Sequence, residues 1–137
     1  MNPAVWVARH GCSRPDDPAL ADGERVHASW ATFAARVAAA AAGLRGDFGL
    51  SPGDRVAIVM RNRPEYLEAM FAVWHAGLVA VPVNARLHRD EIAHILEDSG
   101  AAVVVTDPDH ADDVEPLVGT ITSLQRRWWF PVSGGTG

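Results

Sequence analysis

The sequence predicts an α/β fold, a partial doubly wound and mostly parallel sheet flanked by helices. Three runs carry that prediction: Arg55–Met60, Leu78–Val83 and Ala101–Thr106 are apolar over strand length with almost no polar alternation, the pattern of strands covered on both faces. The two segments between them repeat apolar residues at helical spacing instead, and glycine or proline stands at nearly every junction. Strand, helix, strand, helix, strand with right-handed crossovers makes a parallel half-domain with helices on the sheet faces.

The elements follow in order. Val5–Gly11 fits a short helix, and Ser13–Pro18, with two prolines and adjacent acids, is loop chemistry. Ala19–Asp22 and Arg25–Ala28 flank the turn pair Asp22-Gly23 and predict a small hairpin. Ser29 is placed to cap a helix from Trp30 to about Leu44, with Phe33, Val37, Ala40, Ala41 and Leu44 as its core stripe. The alanine tract at 38–42 is expected to serve close helix packing, with the high helix propensity of alanine behind it.

Leu50-Ser51-Pro52-Gly53-Asp54 is a turn before the first buried strand. Pro64 suits a first helical turn, and Leu67, Met70, Phe71 and Trp74 form the expected buried stripe of the helix that Gly77 ends. After the second strand, Asp90 is the expected cap, Ile92, Ile95 and Leu96 the stripe, and Ser99-Gly100 the terminator. Residues 108–132 form a connection that the pattern leaves unassigned, although Trp128–Val132 is apolar enough for a strand.

Composition bounds the chemistry. One domain is expected, since 137 residues with 48% hydrophobic and 21% charged content match an ordinary globular chain. A net charge of −5, with no run of five basic residues, argues against nucleic acid. The pair Arg126-Arg127 beside Trp128-Trp129 has no wider basic face around it and reads as a strand edge or a disturbed stretch rather than a stacking platform. All twelve basic residues are arginine, so a lysine amine is unavailable for catalysis. The single cysteine, Cys12, excludes an internal disulfide framework, and the start lacks a signal-peptide pattern; a cytoplasmic chain without a membrane span is expected.

The turn after the first strand, Arg61-Asn62-Arg63-Pro64, has no glycine to admit a pyrophosphate, which argues against a dinucleotide site there. His75, His88 and His94 show no metal-ligand spacing, so no metal site is predicted and no catalytic residue is assigned. The glycine-rich element is Ser133-Gly134-Gly135-Thr136-Gly137. Such a loop offers backbone N–H groups and hydroxyls to phosphate oxygens, while residue type alone fits a frayed terminus equally well.

Four segments together resemble the adenylate-forming, AMP-binding enzymes, the family of acyl-CoA synthetases, luciferases and peptide-synthetase adenylation domains. They are Ser29–Val37, Leu50–Ile58, Asn62–Tyr66 with Ala76–Asn84, and Leu96–Ala101 with Val105–Asp107. The likeness is specific in order and spacing, and is nearest to the N-terminal part of a fatty acyl-CoA synthetase. It implies that residues 1–137 are a single incomplete N-terminal subdomain and that Ser133, Gly134, Gly135, Thr136 and Gly137 begin the ATP phosphate loop.

In the intact family ATP and Mg²⁺ activate a carboxylic acid as its acyl-adenylate, which CoA then captures. Two departures stand out. Gly135 replaces a hydroxyl residue usual in that loop, which predicts weaker phosphate binding, and the 26 residues between Thr106 and Ser133 are fewer than the family's connection. The family's loop lysine, ribose-binding aspartate and C-terminal lid have no counterpart in residues 1–137, so this stretch is expected to be inactive alone. Two other expectations remain open: an interaction module that self-associates through an exposed sheet edge, and a small nucleotide-binding protein.

Overall fold

The computed structural model describes residues 2–129. Helix α1 (Ala4–Ser13) precedes the antiparallel hairpin β1 (Pro18–Asp22) and β2 (Arg25–Ser29), and α2 (Trp30–Gly46) follows. Ser29 caps α2 as the sequence predicts, its hydroxyl accepting from Thr32 N–H at 3.2 Å. Then come β3 (Arg55–Val59), α3 (Pro64–His75), β4 (Val79–Val83), α4 (Arg89–Ser99) and β5 (Val103–Thr106). A 3-10 turn (Pro108–His110), α5 (Ala111–Val118) and β6 (Arg126–Trp129) complete the described chain.

The four strands β3 to β6 form one parallel sheet in the order β4-β3-β5-β6. Side chains of β3 alternate between two cores because successive residues of a strand face opposite ways. Val56, Ile58 and Met60 join Ala41, Leu44, Ala69, Val73 and Ala76 on the face covered by α2 and α3. Ala57 and Val59 join Ile92, Leu96, Val104 and Val114 on the face covered by α4 and α5. The chain steps one way from β3 to β4 through α3, then back across β3 to β5 through α4 on the other face. Direction and face reverse together, as a constant crossover hand requires. The predicted doubly wound sheet is the observed one.

Several expectations are corrected. In α3 the buried residues are Pro64, Glu65, Glu68, Ala69, Ala72 and Val73, not the stripe of large side chains. Leu67 is 43% exposed, while Met70 and Phe71 lie sideways at the rims of two cores. The helix is held between the sheet and α2, where the small Ala69, Ala72 and Val73 allow close approach, while Glu65 and Glu68 are buried toward the hairpin. The cap of α4 is His88, whose Nδ1 accepts from Asp90 N–H at 3.2 Å, so Asp90 lies inside the first turn and favours the helix through its charge.

The alanine tract serves packing only in part: Ala40 and Ala41 reach the core, while Ala38, Ala39 and Ala42 are exposed. Close helix contact falls instead at Gly11 of α1, where a Cβ would stand 2.8 Å from Ala34 Cβ of α2. Residues 108–129 are also more regular than predicted, forming a full crossover whose last strand pairs Val103–Thr106 with Arg126–Trp129 in parallel. Arg126 and Arg127 therefore belong to an ordinary edge strand.

Candidate cleft at the carboxyl ends of the strands

In a doubly wound sheet the crevice forms where the strand order reverses, outside the carboxyl ends of the strands. Here that place lies between β3 and β5, and it is bridged from within. Asp107, which follows β5 directly, is fully buried. Its Oδ2 accepts from Arg61 N–H at 3.0 Å and lies 3.7 Å from the Arg63 guanidinium. Its Oδ1 accepts from His110 N–H at 3.1 Å and lies 2.6 Å from His110 Nδ1. Asp109 adds ion pairs to Arg61 at 3.2 Å and Arg63 at 3.3 Å. Burial pushes the Asp107 carboxyl up, but the bonds from Arg61 and His110 and the nearby charges of His110 and Arg63 outweigh it, so its pKa lies below the usual carboxylate value.

With the switch point closed, the opening moves toward β4. An open cleft of about 790 Å³ is lined by Met60, Arg61 and Asn62 after β3, Tyr66 of α3, Pro82–Arg86 around the end of β4, and His110. The loop after β4 is shaped locally: Asn84 Oδ1 accepts from Arg86 N–H at 2.9 Å, and Leu87 N–H closes a turn on Asn84 C=O at 3.1 Å. An Asx turn of this kind is what asparagine favours. It sets Arg86 at the rim, and its guanidinium has no partner among the described residues. Burial raises the pKa of Tyr66, so its phenol remains a neutral donor. The lining contains two arginines, two asparagines, a tyrosine and a histidine, and no carboxylate. Its chemistry suits an anionic, hydrogen-bond-accepting ligand.

The glycine-rich residues Ser133, Gly134, Gly135, Thr136 and Gly137 lie outside the described residues. The strand that leads toward them, β6, ends at the same edge of the sheet as β3, β4 and β5. Among the described residues no group of three or more His, Cys, Asp or Glu is arranged to hold a metal ion. No helix there is long and apolar enough to cross a membrane.

A second polar cluster, absent from the sequence reading, lies under the hairpin. Glu65 and Glu68 of α3 are 3% and 2% exposed. Glu68 Oε1 lies 2.7 Å from His27 Nε2 and accepts from Arg36 at 3.1 Å, while His27 Nδ1 stands 3.8 Å from Glu65. Nε2 cannot both donate to Glu68 and accept from Arg36, 3.2 Å away; the shorter contact to a carboxylate makes the ring the donor. The cluster ties β2 to α2 and α3, and its signal in the sequence is two acids spaced on the face that carries Ala69, Ala72 and Val73.

A doubly wound α/β domain with a cleft at its strand ends belongs to the class of folds in which ligand sites form on the loops outside the carboxyl ends of the strands. The sequence model of the AMP-binding enzymes matches residues 7–129, and the chain belongs to the AMP-binding enzyme family. A feruloyl-CoA synthase of Amycolatopsis sp. is 43% identical over 112 residues, which cover 82% of this chain and 22% of the relative. A long-chain-fatty-acid–CoA ligase of Salmonella typhimurium is 36% identical over 122 residues, covering 88% and 21%. A solved fatty acyl CoA synthetase of Mycobacterium tuberculosis superposes with a TM-score of 0.76 at 25% identity, covering 93% of this chain and 26% of that one. The chain spans about a fifth of the length of the curated relatives it matches.

Proposed function

We propose that these 137 residues supply the opening part of an ATP-dependent carboxylate–CoA ligase, and that they contribute anion-binding loops to a site completed elsewhere in the ligase. The observation that carries this reading is the cleft: three loops, after β3, β4 and β5, meet at the carboxyl edge of the parallel sheet in a chain of the AMP-binding family, and they present Arg86 unpaired beside Arg61, Asn62 and Asn84. Both co-substrates of such a ligase, ATP and CoA, are polyphosphates, and a guanidinium with neighbouring amides is suited to phosphate oxygens. β6 ending at this same edge supports a phosphate loop at Ser133–Gly137, with one hydroxyl fewer at Gly135. Among the described residues no three His, Cys, Asp or Glu side chains are grouped to hold Mg²⁺.

The acid that is activated is a carboxylate of the kind named for the relatives, aromatic as in feruloyl or aliphatic as in a fatty acid. Residues 1–137 alone are proposed to be inactive, because without a lysine no ammonium is available to stabilise charge developing at the α-phosphate. The test is a chimaera in which residues 7–129 replace the matching segment of the Amycolatopsis feruloyl-CoA synthase. ATP-dependent acyl-CoA formation within about tenfold of the parent, lost on Arg86→Ala in the chimaera, is the expected result; a folded chimaera that forms no acyl-CoA sinks the reading. Acyl-CoA formation by residues 1–137 alone with ATP, Mg²⁺ and CoA would overturn the inactivity.

A further inference from the structure

His110 is not needed to hold the turn it sits in, because its own N–H already binds Asp107 Oδ1 at 3.1 Å. The ring adds a second bond to the same oxygen, at 2.6 Å through Nδ1, and it lines the cleft. Asp107 is a carboxylate held ionised: it is fully buried, accepts from Arg61 N–H and lies beside Arg63. An ionised carboxylate only accepts, so Nδ1 must carry the hydrogen, and the exchangeable site of the ring is Nε2. Nε2 has no partner among the described residues. A buried acid thus fixes the tautomer and orientation of an imidazole that lines an arginine-bearing cleft.

We propose that His110 is a ligand-binding residue of this cleft that makes anion binding pH-dependent: protonated at Nε2 it donates a charged hydrogen bond to a phosphate-type oxygen, and neutral it does not. Asp107 is the positioning residue. The inference rests on the anion-binding reading of the cleft given above. The groups surrounding the ring are consistent with this division of roles. Arg61 is occupied by Asp109, Arg63 by Asp107 and Asp109, and Tyr66 is held neutral by burial. Arg86 is the unpaired cation of the lining, and Asp112 and Asp113 of the first turn of α5 are exposed to solvent. Protonating His110 therefore adds a positive charge at the cleft, where no lining residue is an acid; the nearest carboxylate, Asp107, lies behind the ring on its Nδ1 side and is shared with Arg63.

Sulfate is the suitable probe because it remains a dianion throughout the range in which imidazoles titrate. The experiment titrates the ¹⁵N-labelled 137-residue chain with sulfate at pH 5.5 and pH 8 and follows Arg86, Asn84 and His110 by NMR. The expected result is affinity about tenfold higher at pH 5.5, the scale of one charge-assisted hydrogen bond. Arg86→Ala lowers the affinity at both pH values, and His110→Gln makes it weak and equal at both. A wild-type measurement needs no variant: the imidazole resonances of His110 titrate at higher pH when sulfate is saturating. If sulfate binds in an Arg86-dependent way but with no pH dependence, or without moving the His110 titration, the role of His110 is overturned and the cleft reading stands. If nothing binds in an Arg86-dependent way even at pH 5.5, the cleft reading fails and takes the inference with it.

Discussion

Single side chains at two places carry most of the consequence. Despite burial, Asp107 has its carboxyl held below the ordinary carboxylate range by its bonds to Arg61 and His110, so it favours the folded state fully above the unfolded-chain value. That contribution disappears as pH falls through the lower folded-state pKa, because the unfolded chain binds the proton first. Urea midpoints measured from pH 5 to pH 2.5 should fall with acidity, and the fall should be shallower in Asp107→Asn. At pH 7 that variant should also lose about 3 kcal/mol, the usual scale for removing one member of a buried charge network. At Gly11, alanine would gain about 1 kcal/mol of helix propensity, yet its Cβ would stand 2.8 Å from Ala34 Cβ, a contact neither helix can relieve by rotating a side chain. Overpacking of this kind costs about 1–3 kcal/mol. Gly11→Ala should therefore lower thermal stability, and adding Ala34→Gly should remove the clash. Gly11 carried no sign of this in the sequence, since the alanines that look like a packing tract are at 38–42 and mostly face water.

Helix α3 buries a face that its own periodicity does not predict. Periodicity favoured Leu67, Met70, Phe71 and Trp74, whereas the buried face holds Glu65, Glu68, Ala69, Ala72 and Val73. A hydrophobic stripe predicts the inward face when a helix has one neighbour. This helix has the sheet beneath it, α2 beside it and the hairpin at its start, so small residues go inward and acids are buried against His27 and Arg36. The expected consequence is that Leu67→Ser stays within about 0.5 kcal/mol of wild type, while Val73→Ala costs about 2 kcal/mol. Glu68→Ala should cost about 3 kcal/mol, because it leaves Glu65 buried without the full cluster. Chemical denaturation of the three variants separates these outcomes, and equal effects at Leu67 and Val73 would contradict the observed orientation of α3.

At the scale of the molecule, the sheet order β4-β3-β5-β6 creates a switch point and the chain then closes it with its own ion pairs. Opening of the cleft is thereby displaced toward β4, where Arg86 waits at the rim. Sequence by itself determined the three strands β3, β4 and β5, their parallel arrangement, the hairpin, the cap at Ser29 and the family likeness, because each is written in neighbouring residues: apolar runs, helical spacing, turn pairs and ordered motifs; β6 it left unassigned. It also singled out Arg61-Asn62-Arg63 and Asn84, though only as the absence of a glycine loop and as a matching segment. Only the tertiary structure decided which face of α3 is buried, that His27 meets Glu68 across 41 positions, and that Asp107 holds Arg61 across 46. The physical reason is that burial of a charge or the orientation of an imidazole depends on partners brought together by the crossovers. No local pattern encodes contacts between residues so far apart in the chain.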